Sequence, residues 1–209
     1  MWSASSWPVT LRAGSLVLRP IRYRDKSVWM ASRHRNAAWL APWEASNPEP
    51  GGYLPTYYQM VRSLTAQARA GSALPFLITE QNRDSREARL VGQLTVSGIT
   101  WGSAMTATLG YWVDADRAGR GIAPTAVALA TDYCFKELGL HRMEINIRPE
   151  NRASIRVVEK LHFRDEGLRP RYLHINGQWA DHRSFALTSE EVPRGLLAPW
   201  LATPPRRSD

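Results

Sequence analysis

An α+β fold with a mixed sheet is predicted by two features of the 209-residue chain. Leu74 to Glu80, Leu90 to Thr100 and Met105 to Asp114 follow one another as strand-like runs with no helical pattern between them, which calls for an antiparallel meander. The chain then changes period. A helix-like apolar run ending near Leu138 precedes Arg142 to Arg148, where Met143, Ile145 and Ile147 alternate with Arg142, Glu144, Asn146 and Arg148. A strand that returns after a helix implies a parallel crossover. The length suits one well-buried domain.

Taken in order, residues 1–14 read as an N-terminal extension, 15–188 as the domain and 189–209 as a tail. SLVLRPIR (Ser15 to Arg22) reads as the first strand, with Asp25 as N-cap of a helix over Lys26 to Arg35 and a second short helix over Asn36 to Trp43. Glu44 to Gly52 reads as a loop. Leu54 to Ala70 places Tyr57, Met60, Val61, Leu64 and Ala68 at helical spacing, stopped by Gly71. A charged linker, Gln81 to Arg89, joins the first two meander strands. Pro124 suits the first turn of the apolar helix, which Gly139 ends. Asn151 caps a helix running from Arg152 to about His162, and two closing strands flank the Asn176-Gly177 turn. The tail carries prolines, a short helix near Leu196 and two terminal arginines, Arg206 and Arg207.

Composition narrows the function. The one cysteine, Cys134, excludes an internal disulfide framework, and no cysteine and histidine run has zinc-ligand spacing, so no metal is expected. No basic leader with an apolar core begins the chain, and no run reaches the roughly eighteen apolar residues of a spanning helix, so a cytoplasmic protein without membrane contact is expected. The formal charge of +8 favours anionic partners, but the arginines are spread along the whole chain and form no dedicated nucleic-acid stripe. Of nine tryptophans, Trp2, Trp7, Trp29, Trp39 and Trp43 fall within the first 43 residues, as a core flap or binding rim would require.

Tyr111 to Thr125 (YWVDADRAGRGIAPT) is a strand that turns through Gly119 and Gly121 into a helix. Glycines let backbone N–H groups converge, and a helix start adds partial positive charge, so the turn suits a phosphate. An ordinary strand-to-helix turn with solvated Arg117 and Arg120 would read the same way. A Walker A loop is excluded, since GRGIAPT lacks the Lys and Ser/Thr pair. A Rossmann fingerprint needs a small residue where Pro124 stands.

YWVDADRAGRGIAPTA, then PENRASIRVVEKLHFRDEG, then INGQWADHRSFAL resembles the GCN5-related N-acetyltransferases (GNAT), and more narrowly their RimJ/RimL branch, from about Leu16 to Leu187. The resemblance implies a mixed, mostly antiparallel sheet, helices on both faces, and a V-shaped splay between the third meander strand and the parallel strand. It implies acetyl-CoA as cofactor and coenzyme A as product. The backbone of Tyr111, Trp112 and Val113 would hold the pantetheine arm, Gly119, Arg120, Gly121, Ile122 and Ala123 would cradle the pyrophosphate, Thr125 would add a hydroxyl, and Asn151 and Ser154 would line the opposite wall. Three positions depart from relatives: Ala118 opens the turn in place of Gln or Arg, Thr108 stands where many carry a glutamate, and Val158 replaces another branch's tyrosine.

Direct acetyl transfer needs a neutral amine and a proton for the departing thiolate. Ser154 matches the branch's serine near the sulfur and is the candidate acid, although it is equally an ordinary first-turn residue. Glu144 is the candidate base, with ion pairing to Arg142 or Arg148 as its other reading, and His174 and His182 are fallbacks. Trp29 to Tyr58 and Arg171 to Trp179 are expected to choose the acceptor: the α-amine of a protein, ribosomal by the resemblance and then with ribosome association, or a small amine such as a polyamine, amino sugar or antibiotic. A non-catalytic acyl-CoA-binding protein is the third reading, and both monomer and homodimer are compatible with the sequence.

Overall fold

The computed structural model describes residues 7–49, 55–81 and 88–202. Trp2, Pro50 to Leu54, the linker from residue 82 to 87 and the terminal arginines lie outside them. One eight-stranded sheet forms, β1 (Leu11–Ala13), β2 (Leu16–Pro20), β3 (Leu74–Gln81), β4 (Ala88–Thr100), β5 (Thr106–Val113), β6 (Arg142–Ile147), β7 (Arg164–Ile175) and β8 (Gln178–Thr188), in the order β1-β2-β3-β4-β5-β6-β8-β7. Every neighbouring pair is antiparallel except β5 and β6. Leu11–Ala13, read from the sequence as part of an extension, is the edge strand of this sheet.

Alternation along the strands divides two cores. Phe76 and Ile78 face the larger one with α4 (Ile122–Lys136) and α5 (Arg152–Lys160), whereas Leu77 faces a smaller one with Tyr57 and Val61 of α3 (Tyr57–Arg69) and Trp29 of α1 (Lys26–Arg35). Helices therefore cover both faces. α4 is buried almost all round, as its apolar sequence demands, and each fully buried Leu, Phe or Met side chain of the core contributes about 1.5–3 kcal/mol. None of the helices is long and apolar enough to cross a membrane among the described residues. Gly92 is required where β4 and β5 meet, because a Cβ there would stand 2.3 Å from the Trp112 carbonyl oxygen.

Several ends differ from the sequence reading. α4 begins at Ile122, ahead of Pro124, because Gly121 takes the left-handed conformation (φ +76°) as its cap. α3 begins after Thr56, whose side chain and that of Gln59 cap it reciprocally. Asp25 precedes α1 but gives no side-chain cap. Its carboxylate accepts two bonds from the Arg19 guanidinium, at 2.8 and 2.9 Å, and one from the Arg22 N–H at 2.8 Å, and a forked, charged donor outcompetes a helix N–H. The second short helix is α2 (Ala37–Leu40), followed by a 3-10 turn over Ala41–Trp43 that accommodates Pro42. The tail forms α6 (Leu197–Ala202).

Asp114 joins the end of β5 to α1. Fully buried, its carboxylate accepts from Ser32 Oγ at 2.8 Å, from Arg35 at 3.0 Å and from the Asn36 amide, while Asn36 Oδ1 accepts from the Ala115 N–H at 2.9 Å. Asp114→Ala should lower the free energy of unfolding by about 3 kcal/mol, since it strands buried donors and a charge partner. Urea denaturation checks this, and a change within experimental scatter would contradict the linchpin role.

His182 on β8 is 3% exposed, and its Nδ1–H donates to the Ala180 carbonyl at 3.0 Å. Burial holds its imidazole below the ordinary value of 6.5. On acidification the unfolded chain takes up a proton that the folded chain refuses, so this contribution is complete above 6.5 and diminishes as pH falls below it. The drop in melting temperature between about pH 7.5 and 5.5 should be smaller in His182→Gln than in the parent. An equal drop would contradict the assignment.

Candidate active site

β5 and β6 pair only at Thr106 with Arg142, Ala107 with Met143 and Thr108 with Glu144, then part. Along the rest of β5, alternate residues turn their backbone groups to β4. The Asp114 N–H bonds the Val91 carbonyl at 2.9 Å, so with the register Gly92–Val113 and Leu94–Tyr111 it is Tyr111 and Val113 that turn theirs into the gap. Their N–H groups and the Tyr111 carbonyl have no partner among the described residues and are ready to receive an extended chain carrying amides.

The gap holds a cavity of about 450 Å³. On one side it meets Tyr111, Trp112, Val113 and the turn Arg117–Ala123 apart from Arg120, and on the other Asn151, Ala153, Ser154, Arg156, Val157 and Lys160 of α5 and its cap. Arg33, Trp39, Trp43 and Glu44 close a third side. Trp39 Nε1 donates to the Val113 carbonyl at 3.2 Å, and the Arg33 guanidinium lies 5.6 Å from the Trp112 ring centre.

Gly119 (φ +78°) and Gly121 (φ +76°) both take the left-handed conformation that glycine adopts without strain. Gly121 caps α4 without a side-chain bond, and among the described residues the N–H groups of Gly119 to Ala123 have no hydrogen-bond partner. A row of free donors at the start of a fifteen-residue helix is an anion site. Arg156 and Lys160, one turn apart on α5, line the cavity and make no ion pair among the described residues. Donors and charges together fit a phosphorylated ligand. Arg120 is exposed and absent from the cavity wall, and Arg117 lines the cavity and pairs with Glu80 at 3.4 Å. Thr125 is also absent from the wall: its hydroxyl donates to the Gly121 carbonyl at 2.8 Å and accepts from Trp200 Nε1 at 2.8 Å, so its proton is committed inside the protein.

Asn151 Oδ1 accepts the Ser154 N–H at 3.1 Å and caps α5, which brings the Ser154 hydroxyl to the gap. Ser154 Oγ is 2.7 Å from the Tyr111 phenol oxygen, so one hydrogen bond bridges the two walls. Burial raises the Tyr111 phenol above its ordinary value, and it is protonated at neutral pH. When it donates to Ser154 Oγ, the serine proton is free to serve another acceptor. Only the backbone of Tyr111 is legible as functional in the sequence, because nothing local foretells a side-chain contact across 43 residues.

Glu144 is drawn away from base chemistry. It accepts from Arg142 Nε at 2.8 Å, lies 3.6 Å from Arg169 and does not line the cavity. The His174 ring is bonded to Ser46 Oγ at 2.9 Å, and Cys134 is a core thiol that burial pushes up to about 12. The two stretches expected to choose the acceptor meet: Ala45 bridges to Ile175, the Ser46 N–H bonds the His174 carbonyl at 3.0 Å, and the Asn176 N–H bonds the Glu44 carbonyl at 2.9 Å. No group of three or more His, Cys, Asp or Glu able to hold a metal gathers among the described residues.

Residues 15–164 match the family described as Acetyltransferase (GNAT) domain. The chain is 29% identical over 189 residues to the Escherichia coli [Ribosomal protein uS5]-alanine N-acetyltransferase, covering 90% of this chain and 94% of that protein. Among solved structures it superposes on Mycobacterium smegmatis RimJ in complex with CoA-disulfide with a TM-score of 0.83 and 37% identity, over 94% of this chain and 95% of that one. The ribosomal-protein-S5-alanine acetyltransferase of Vibrio fischeri follows at 0.76 and 28%, over 88% and 98%. A sheet that splays after Thr108, a glycine turn with free N–H groups and these likenesses converge: the chain belongs to the GNAT family of acetyltransferases and is an acetyl-CoA-dependent N-acetyltransferase.

Proposed function

We propose that this protein acetylates the N-terminal α-amine of a protein, most simply a ribosomal protein, holding acetyl-CoA in the gap between β5 and β6. The observation that carries the reading is the meeting of free backbone groups on β5 with free N–H groups on the Gly119–Ala123 turn along one cavity. Tyr111 and Val113 would bind the amides of the pantetheine arm, the turn would bind the pyrophosphate, and Arg156 and Lys160 would neutralise phosphate charge. Bound acetyl-CoA supplies the acyl group as a thioester.

The amine nitrogen forms the new C–N bond as the C–S bond breaks, one proton leaves nitrogen and one must reach sulfur. Ser154 Oγ, backed by the Tyr111 phenol, is the proton-bearing pair on the cavity wall. With Glu144 held by arginines, no base is assigned. An α-amino group titrates near 7.7–8.0, so roughly a tenth or more is already neutral at pH 7 and water can take the proton.

The acceptor assignment is supported by Glu44 and Ala45, which line the cavity beside Trp39 and Trp43 and join the β7–β8 hairpin through strand-like backbone bonds. The uS5-alanine N-acetyltransferase of Escherichia coli, aligned along nearly the whole chain, favours the same choice. Thiol release from acetyl-CoA should be robust with peptides bearing a free N-terminal Ala, Ser or Met and abolished when that amine is blocked. Release with polyamines or amino sugars and none with peptides would overturn the reading.

Ser154→Ala should lower kcat about 10- to 100-fold while leaving CoA affinity within about twofold, because the residue acts on the proton and not on the phosphates. Tyr111→Phe should fall in the same direction by less. Unchanged kcat in both would remove the pair from the chemistry.

A further inference from the structure

The chain beyond β8 has no part in the transfer described above, yet it packs directly beneath the glycine turn. Its attachment is specific. Asp132 on α4 accepts the Leu196 N–H at 2.6 Å and the Leu197 N–H at 3.3 Å, and so fastens the start of α6. Lys136 lies 3.4 Å from both Asp132 and the Arg194 carbonyl. Gly195 (φ +85°) makes the close passage feasible, because a Cβ there would stand 2.3 Å from Lys136 Nζ and 2.6 Å from Asp132 Oδ2.

This fastening delivers Trp200 to the turn. Its ring comes within 3.6 Å of the place a Gly121 Cβ would occupy, and its Nε1 donates to Thr125 Oγ1 at 2.8 Å. Thr125 in turn gives the Gly121 carbonyl two bonds, from its hydroxyl at 2.8 Å and its N–H at 3.1 Å. A trans peptide is rigid and sets its carbonyl and N–H in opposite directions, so holding the Gly121 carbonyl toward the helix aims the Ile122 N–H outward into the turn. Hydrogen bonds in such a chain polarise one another.

We propose that Trp200 is a positioning residue for the cofactor. The C-terminal segment acts as a strap that, through Thr125, holds the Gly121–Ile122 peptide with its N–H presented to the pyrophosphate of CoA. Acetyl-CoA affinity is then set in part by a side chain that never touches the ligand. The inference rests on the placement of the pyrophosphate at the glycine turn, which the test examines separately.

Trp200→Phe removes the indole donor while keeping an aromatic side chain on α6. Calorimetry with CoA should show a Kd raised roughly three- to tenfold, the loss of about one hydrogen bond, with the kinetic defect in KM for acetyl-CoA and not in kcat. Thr125→Val should weaken CoA comparably, Thr125→Ser should restore affinity, and Trp200→Phe with Thr125→Val should be no worse than Thr125→Val alone, since the two act in series. Unchanged Kd in Trp200→Phe, with or without a lowered melting temperature, would overturn the strap and reduce the tail to a structural role. Full additivity in the double variant would likewise overturn the relay. Gly121→Val separates the underlying reading: strain at φ +76° distorts the turn itself. Lost CoA binding there beside an unaffected Trp200→Phe leaves the pyrophosphate site standing without the strap, whereas retained CoA affinity in Gly121→Val rejects the site itself.

Discussion

Two parallel strands that pair for three residues and then separate leave backbone groups that no neighbouring strand can satisfy. In most sheets such a gap would be closed or covered. Here Thr108–Glu144 is the last rung, and beyond it the indole of Trp39 on α2 reaches the Val113 carbonyl, while the phenol of Tyr111 on β5 itself reaches Ser154 on the far wall. The gap holds a cavity of about 450 Å³, and the end of β5 forms one of its sides.

The anion end of the gap has the same logic carried by a different element. α4 is so apolar that its position is dictated by the core, and its first turn therefore arrives at the end of β5 with the donors uncapped. A serine or aspartate cap would have taken up one of them and put a side chain into the turn. Gly121 instead leaves them open, and its carbonyl is restrained from the helix side through Thr125 and Trp200. Asp114 secures the other flank by joining the strand end to α1, which carries Arg33, and to Asn36 at the start of α2. Rigid supports on both sides of a flexible glycine turn are what a preorganised phosphate site requires.

What could be seen in the sequence was whatever is periodic or local. Alternation in Arg142–Ile147 and the meander strands, the Asn151 cap and the Asn176-Gly177 turn all depend on neighbours a few residues away, and the structure has them. Local rules failed where a distant side chain offered a stronger bond: Asp25 bonds the fork of Arg19 in preference to the first N–H of α1. The family resemblance implies a ligand-facing hydroxyl at Thr125, but Trp200, 75 residues later, holds that hydroxyl inside. Glu144 sits on the strand face its alternation requires, yet alternation says nothing of Arg169 on the next hairpin, which with Arg142 surrounds its carboxylate. The role of the Tyr111 side chain was likewise beyond reach, since it exists only once α5 has docked.

Hydrogen exchange of the backbone amides, with and without saturating CoA, reads directly whether the β5 edge and the glycine turn hold the cofactor. CoA should slow exchange at Tyr111 and Val113 and at Gly119 to Ala123, whose amides have no partner among the described residues, with little change along the β7–β8 hairpin. Protection concentrated elsewhere, with those amides exchanging as fast as before, would contradict it.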